Sequence, residues 1–167
     1  EILPGFDYAD LGYCVFAFGK LGGRELNYSS DVDLLVTYDQ SAAADDDSKG
    51  DLQKRLAEVV ETVREMLSSY TSTGYVYRVD LRLRPYGRSG PLVPSNESVI
   101  AYYAKEASIW ERQALLKLRP VAGDIESGKA LADALQSMLG SASASHGFKD
   151  TIRDEIRRMR SKGVRTH

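Results

Sequence analysis

The chain has 167 residues, a mass of 18.5 kDa and a formal net charge of -2. This length fits one globular domain, and 43% hydrophobic with 28% charged residues argues against disorder. No apolar run is long enough to cross a bilayer, so we expect neither a transmembrane segment nor a signal peptide, and a cytoplasmic location. The single cysteine, Cys14, and the histidines His146 and His167 lack metal-site spacing, so disulfide, cysteine-zinc and histidine chemistry are not predicted.

Two buried strands are predicted in the first quarter of the chain. Gly12 to Gly19 is a short apolar run rich in aromatic and β-branched residues, which is typical of a central strand. Residues 20–30 are dense in turn formers and should be an exposed connection to a second strand, from Asp31 to Tyr38. Residues 39–51 hold almost no apolar side chain, so they predict a surface loop.

A long helix and an alternating strand should follow this loop. From Asp51 to Tyr70 apolar residues recur at helical spacing, and Ser48 with Asp51 resembles a capping box. Residues 75–84 alternate strictly, so Tyr77, Val79, Leu81 and Leu83 should face the core, while Asp80 and several arginines lie on the other face.

The second half of the chain predicts helices separated by turns. Ser95 can cap one helix, and Ser108 with Glu111 forms a capping-box pattern before a helix that must end just ahead of Pro120. Asp124 can cap one more helix. In the middle helix Trp110 and Leu115 should be core residues, and Glu111 with Arg112 could brace the strand arginines.

The composition divides the chain into three parts. Residues 1–139 should form the main globular domain, and 140–148, rich in Gly, Ser and Ala, a flexible connector. Residues 149–167 should begin a following, truncated helical region, whose basic charge fits a solvated helix in a larger bundle better than nucleic-acid binding. The chain opens with Glu1 and stops inside a charged helical pattern, which indicates a piece of a longer protein.

Three aspartates are candidate metal ligands. Asp31 and Asp33 are two apart in a predicted strand, so both carboxylates share one face. Converging carboxylates repel, and a hard cation such as Mg²⁺ relieves that repulsion. Asp80 lies centrally on another strand. Three aspartates on neighbouring strands can hold two divalent ions, which clamp the attacking and leaving oxygens of a phosphoryl transfer.

Basic and glycine residues near these acids are candidate phosphate ligands. Arginines can grip phosphate oxygens bidentately, and glycine amides can approach phosphate closely because glycine lacks Cβ. A salt-bridged solvent face and a plain turn are the alternatives. The glycine loop is neither a Walker P-loop nor a Rossmann fingerprint. The candidates on chemical grounds are Lys20, Gly22, Gly23, Ser30, Arg82, Arg84 and Arg88.

Three long segments resemble the signature segments of the glutamine synthetase adenylyltransferase family. They read FGKLGGRELNYSSDVDLLV, YRVDLRLRPYGRSGPLV and WERQALLKLRPVAGD, and with their spacers they span most of residues 12–124. The resemblance implies a nucleotidyltransferase fold of the DNA polymerase β superfamily, α/β (α+β), with a small mixed sheet backed by helices and a C-terminal helical extension. It also implies an enzyme that uses Mg²⁺ or Mn²⁺ to add AMP to, or remove AMP from, a tyrosine of glutamine synthetase.

The resemblance also implies roles for residues and partners. Asp31, Asp33 and Asp80 match the family's metal-binding acids. The implied partners are glutamine synthetase, ATP or ADP, phosphate and, in the full-length enzyme, the signalling protein PII; neither nucleic acid nor a membrane is expected. The residues that fall in the family's glycine-loop motif are Gly19, Lys20, Gly22, Gly23 and Ser30.

Members of this family carry two copies of the catalytic module. The forms at 29–33, 81–85 and 89–93 are more similar to the N-terminal, AMP-removing half. That similarity implies phosphorolysis of adenylyl-tyrosine with release of ADP. The alternatives are the ATP-dependent, AMP-adding half, another polymerase-β-like nucleotidyltransferase, and a module that binds nucleotide or a regulator without turnover.

Overall fold

The computed structural model describes residues 12–42, 46–72 and 74–143. Within these ranges four strands form one mixed sheet flanked by helices, so the predicted α/β class is confirmed. The strands are β1 (Cys14–Ala17), β2 (Asp31–Thr37), β3 (Arg78–Asp80) and β4 (Arg119–Gly123). The helices are α1 (Gly19–Gly22), α2 (Asp46–Ser68), α3 (Asn96–Lys105), α4 (Ile109–Ala114) and α5 (Ile125–Ser143). Short 3-10 turns cover Gln40–Ala42, Gly87–Ser89 and Leu115–Lys117.

The sheet has the order β3-β2-β1-β4, which confirms β1 as a central strand. It pairs antiparallel with β2 on one side and β4 on the other, while β2 pairs parallel with β3. Phe16 and Ala17 of β1 are fully buried, which explains the continuous apolar run. After β2, Tyr38 makes one isolated bridge to Ser95.

Apolar side chains cover both faces of the sheet. One cluster joins Phe16 and Leu35 to residues of α3 and α5, and the other joins Val36 to Leu52 and Leu56 of α2. Leu35 and Val36 enter different clusters because successive strand residues point to opposite faces. Burying each side chain of this size contributes about 1.5–3 kcal/mol. Helices cover both faces of the sheet, so polar residues such as Asp31 and Arg78 lie where β2 and β3 begin.

Helix α2 begins earlier than predicted. It starts at Asp46, inside the segment expected to be a loop, so the predicted cap by Ser48 and Asp51 is wrong. The predicted loop over 39–51 instead contains a 3-10 turn at Gln40–Ala42 and, from Asp46, the first part of α2.

The predicted strand over residues 75–84 is mostly absent. β3 contains only Arg78–Asp80, and Tyr77, expected in the core, is 41% exposed. The Asp80 carboxylate accepts a hydrogen bond from the Arg82 backbone N–H at 2.8 Å. This local bond takes a donor that a longer strand would use in its ladder, so the strand ends.

Strand β4 was not predicted from the sequence. Helix α4 stops at Ala114, and after the 3-10 turn the chain enters a strand that contains Pro120. Proline is tolerated there because β4 is an edge strand and its pairing with β1 is irregular between Val15 and Phe16. Trp110 was expected to be buried and is 44% exposed, whereas Leu115 is a core residue as predicted.

The predicted helix starts in the second half are confirmed. The Ser95 hydroxyl accepts a hydrogen bond from the Ser98 N–H, and both bonds of the Ser108–Glu111 capping box are present. The Asp124 carboxylate accepts from the Ser127 N–H at 3.0 Å.

Helix α5 continues through Ser143, so residues 140–143 of the predicted connector are helical. Residues 144–167 lie outside the described residues, and the division into domains stays a prediction. In the described ranges no helix combines the length and the apolar character needed to cross a membrane.

Candidate active site

The register of β2 and β3 brings the three aspartates to one edge of the sheet. Asp33 is the direct partner of Asp80, and Asp31 is the partner of Arg78. Side chains that are paired across neighbouring strands, or two apart along one strand, share a face. The three carboxylates therefore stand on the same face, as the spacing predicted.

The two central carboxylates have opposite electrostatic environments. Burial raises the pKa of Asp33, and the negative charges of Asp80 and Asp31 raise it further. The pKa of Asp80 is lowered, chiefly by the hydrogen bond from the Arg82 side chain. Asp33 is thus the carboxylate that the neighbouring negative charges destabilise, while the negative charge of Asp80 is balanced by Arg82.

Two arginines bind the carboxylates of Asp31 and Asp80. Arg78 Nε donates to Asp31 Oδ1 at 2.6 Å, and Arg82 Nε lies 2.9 and 2.7 Å from the two carboxylate oxygens of Asp80. The side chains as they lie do not surround a common point: in the described part of the chain, no three acidic, histidine or cysteine side chains are positioned together as metal ligands. The backbone register assembles the acids, whereas arginines hold two of them.

Gly19 packs directly against the acid cluster. Its φ is +52°, and a Cβ built there would lie 2.8 Å from Asp33 Oδ2. Glycine satisfies both conditions, because it tolerates the left-handed region and leaves room for the carboxylate. The first glycine of the predicted loop is therefore part of the site's wall.

The rest of the glycine loop has other contacts. A Cβ on Gly22 would lie 2.0 Å from the Lys117 carbonyl oxygen and 2.7 Å from that of Ala17. Close backbone packing accounts for this glycine, and Gly22 is buried rather than exposed as predicted for the connection. A Cβ on Gly23 would lie 3.1 Å from Lys117 Cδ.

Lys20 and Ser30 form a small polar cluster with Asn27. Lys20 Nζ lies 3.1 Å from Asn27 Oδ1 and 3.4 Å from Ser30 Oγ, and Ser30 also hydrogen-bonds Asn27. Within the described ranges, none of these bonds reaches the aspartates. The lysine and serine candidates therefore bond to Asn27 and to each other, whereas Gly19 packs against Asp33.

A polar pocket of about 340 Å³ opens beside β3. Asp31, Asp80 and the predicted phosphate ligands Arg82, Arg84 and Arg88 all line it. Two lining residues from α2, Glu61 and Arg64, were not predicted. Charged residues are ordinary on an amphipathic helix, so the sequence carried no signal for these two.

Two further features contribute no acid or phosphate ligand. A second cavity, of about 390 Å³, lies between α2 and the sheet and is lined almost entirely by apolar side chains. Glu111 hydrogen-bonds Ser108 and the Tyr102 hydroxyl, and Arg112 Nε donates to the Ala107 carbonyl. These two side chains bind α3 and the turn between α3 and α4, so their expected support of the strand arginines is wrong.

The mixed sheet, its acid triad and the adjoining arginine pocket define a candidate phosphoryl-transfer module. A family model described as glutamate-ammonia ligase adenylyltransferase matches residues 7–134. The chain therefore belongs to this family, which confirms the resemblance seen in the signature segments.

Curated relatives carry the same family name. The chain is 41% identical over 140 residues to the bifunctional glutamine synthetase adenylyltransferase/adenylyl-removing enzyme of Thioalkalivibrio sulfidiphilus, covering 84% of this chain and 14% of that protein. It is 38% identical over 158 residues to the protein of that name from Cutibacterium acnes, covering 95% and 16%. The chain thus spans only about one seventh of the length of the relatives it matches. These relatives are, by name, nucleotidyltransferase enzymes.

Among solved structures, the chain resembles a toxin-antitoxin with AMP-PNP at 15% identity and a TM-score of 0.36, over 86% of this chain and 85% of that one. A likeness of this size defines neither fold nor function.

Proposed function

We propose that this chain is a catalytic module that acts on glutamine synthetase and removes AMP from its adenylylated tyrosine by phosphorolysis. The observation that carries the proposal is the register pairing of Asp33 with Asp80, next to the Asp31–Arg78 pair. The names of the relatives support the substrate, since they include both adenylyl transfer and adenylyl removal. The signature forms at 29–33 and 81–85 support the removing direction.

The reaction is an in-line displacement at phosphorus. An oxygen of inorganic phosphate attacks the α-phosphorus of adenylyl-tyrosine, and the bond between that phosphorus and the phenolic oxygen breaks. The products are ADP and tyrosine, whose phenolate takes up a proton. Negative charge concentrates on the phosphoryl oxygens and the leaving oxygen, so fixed positive groups around them lower the barrier.

The donor set fits a hard divalent cation such as Mg²⁺ or Mn²⁺. Its members are carboxylates, the ligands that such ions prefer, and the raised pKa of Asp33 identifies a carboxylate that a nearby cation would stabilise. Asp31, Asp33 and Asp80 would hold the ion, which when bound would neutralise charge on the transferring group. Asp31 and Asp80 would have to release Arg78 and Arg82 for this.

The basic residues then have a clear task. Arg82, once released from Asp80, together with Arg84 and Arg88 would bind phosphate oxygens from the pocket beside β3. Gly19 would keep the approach to Asp33 open. As nucleotide ligands, Lys20, Gly22, Gly23 and Ser30 rest on the family motif, and the exposed Lys20–Ser30 cluster is the part of that loop able to donate hydrogen bonds. ATP or ADP and PII are proposed partners of the full-length enzyme.

The test measures both directions of the chemistry. The chain is mixed with adenylylated glutamine synthetase, orthophosphate and Mg²⁺, and in a parallel tube with unmodified glutamine synthetase and ATP. ADP release with loss of AMP from the tyrosine is expected. Gain of AMP in the parallel tube would instead assign the adenylylating half.

Variants connect the activity to the site. Asp31→Asn, Asp33→Asn and Asp80→Asn should each lower turnover by about 100-fold or more, because each removes a charged group that acts in the transition state. Asp51→Asn, on the exposed face of α2, is the matched control and should keep the parent rate. Near-normal rates in any two of the three site variants would refute the metal site.

A further inference from the structure

The pocket beside β3 contains more arginines than carboxylates. Each acidic side chain that lines it meets an arginine within hydrogen-bond distance, so these charges are compensated locally. The pairs are Arg78 with Asp31, Arg82 with Asp80, and Arg64 with Glu61.

Two more arginines line the same pocket without a carboxylate of their own. Arg84 Nη1 donates to the Leu81 carbonyl at 2.5 Å, but its Nε is buried and has no hydrogen-bond partner among the described residues. No ion pair or hydrogen bond joins Arg88 to another described side chain, although its charge acts on Asp80. A buried N–H without an acceptor costs free energy that a bound anion would recover.

The helix and strand sides of the pocket enclose one space. Glu61 of α2 lies close enough to Arg84 for its charge to act on the pKa of that guanidinium, which burial lowers. Arg64, one turn further along α2, lines the same pocket. Arg84 and Arg88, which form no ion pair among the described residues, therefore line a cavity of about 340 Å³ that Arg64 borders.

We propose that this pocket is the subsite for a phosphate dianion, bound by Arg84 and Arg88 and bordered from α2 by Arg64. The assignment rests on the proposed function, because it gives the position of the phosphate group that does not belong to the AMP moiety. A phosphate group carries nearly two negative charges at neutral pH, which matches the two positive charges of Arg84 and Arg88. The planar guanidinium fork suits two phosphate oxygens at once. The group is either free orthophosphate or the terminal phosphates of a nucleoside triphosphate.

The binding experiment needs no metal and no turnover. Isothermal titration calorimetry measures the affinity of the chain for orthophosphate in the presence of EDTA. Arg88→Gln should weaken binding roughly tenfold, the loss of one charge-assisted hydrogen bond. Arg64→Gln removes a bordering charge that is already paired with Glu61, so it should weaken binding less, by about threefold. Arg55→Gln is the control: it removes the same charge from α2, where Arg55 pairs with Asp51 at 2.7 Å, and should change binding less than about twofold.

A second arm identifies the source of the phosphate. Pyrophosphate and ATP replace orthophosphate in the same titrations. Tighter binding of orthophosphate assigns the subsite to the free attacking phosphate, and tighter binding of pyrophosphate assigns it to a nucleotide. Either result supports the subsite if Arg64→Gln and Arg88→Gln weaken the binding of the preferred ligand. Affinities equal to those of the parent chain in both arginine variants would overturn it.

The outcome is separable from the proposed function. If Asp33→Asn loses turnover while the arginine variants bind phosphate like the parent, the subsite is wrong and the function stands. If phosphate affinity depends on the arginines but no adenylyl transfer occurs in either direction, the subsite stands and the function is wrong. Circular dichroism of Arg64→Gln and Arg88→Gln should match the parent spectrum, since both substitutions alter solvent-accessible charges.

Discussion

Asp33 and Asp80 are paired directly across the parallel strands β2 and β3, yet their carboxylates are stabilised in opposite directions. Burial and like charges disfavour the ionised form of Asp33, while Arg82 favours that of Asp80. The pairing also makes the site depend on register, because a shift of one residue would turn Asp80 to the other face of the sheet.

Neutralising the two partners should change stability in opposite directions. Without metal, Asp33→Asn should raise the melting temperature by roughly 1–2 °C, because it removes a repelled carboxylate. Asp80→Asn should lower it by a similar amount, because Arg82 loses its partner, and the exposure of Arg82 keeps the effect small. Thermal unfolding in EDTA measures both variants, and a shift of the same sign in both would contradict the described electrostatics.

The effect of Asp33→Asn should depend on pH. Below the ordinary aspartate pKa of 3.8, Asp33 is protonated in both the folded and the unfolded chain, so the variant has no advantage. As pH rises from 3.8 to the raised folded-state pKa, the unfolded chain releases its proton first and the parent loses stability. Melting curves from about pH 3 to about pH 7 should show the variant's advantage appearing in that window.

Asp80→Asn should show the reverse dependence. A lowered folded-state pKa gives stability that is present above the unfolded value of 3.8 and is lost as pH falls through the folded one. The deficit of this variant should therefore be full at neutral pH and should disappear in acid. A deficit that stays constant with pH would point to lost packing instead of a lost charge.

Gly19→Ala should damage both the fold and the site. The alanine would combine a left-handed backbone with a Cβ 2.8 Å from Asp33 Oδ2, so we expect a stability loss of about 2–3 kcal/mol and a large fall in turnover. Gly87→Ala is the matched control, because its φ of +56° is similar and its nearest neighbour, the Arg82 carbonyl oxygen, is 3.8 Å away. The control should lose only about 1 kcal/mol in chemical denaturation. Equal losses would show that the contact with Asp33 is unimportant.

Arg119 connects β4 to the glycine loop. Its guanidinium donates to the carbonyls of Leu21 at 2.8 Å and Gly22 at 3.1 Å, at the end of α1. Arg119→Ala should cost about 1–3 kcal/mol in urea unfolding. Lys117→Ala removes only an exposed ion pair with Glu25 and should cost less than about 1 kcal/mol.

Where one pattern determined a feature, the sequence was sufficient to predict it. The apolar runs of β1 and β2 and the caps at Ser95 and Asp124 depend on neighbouring residues, so they were predicted correctly. The shared face of Asp31 and Asp33 follows from strand geometry alone. Their alignment with Asp80 was anticipated in general, but its register depends on pairing between segments far apart in the chain.

The errors arose where side chains changed the backbone or where distant elements met. Asp80 ends its own strand by bonding the Arg82 N–H, which an alternating pattern does not reveal. Pro120 predicted the end of a helix but not the strand β4, whose irregular edge pairing accommodates the proline. Arg64 enters the pocket only because α2 packs beside β3, so no local pattern could identify it.

Because β3 is short, the site can be lost under conditions in which the rest of the fold is still stable. Its three residues have one neighbouring strand, and half-buried Asp80 is its last residue, whereas β1 is covered on both sides. Opening of β3 exposes few apolar groups, so it should require far less free energy than global unfolding. Amide hydrogens at 78–80 should therefore exchange with solvent faster than those of β1. At low denaturant concentrations the Asp80 carboxylate would leave its place beside Asp33 while the core remains folded.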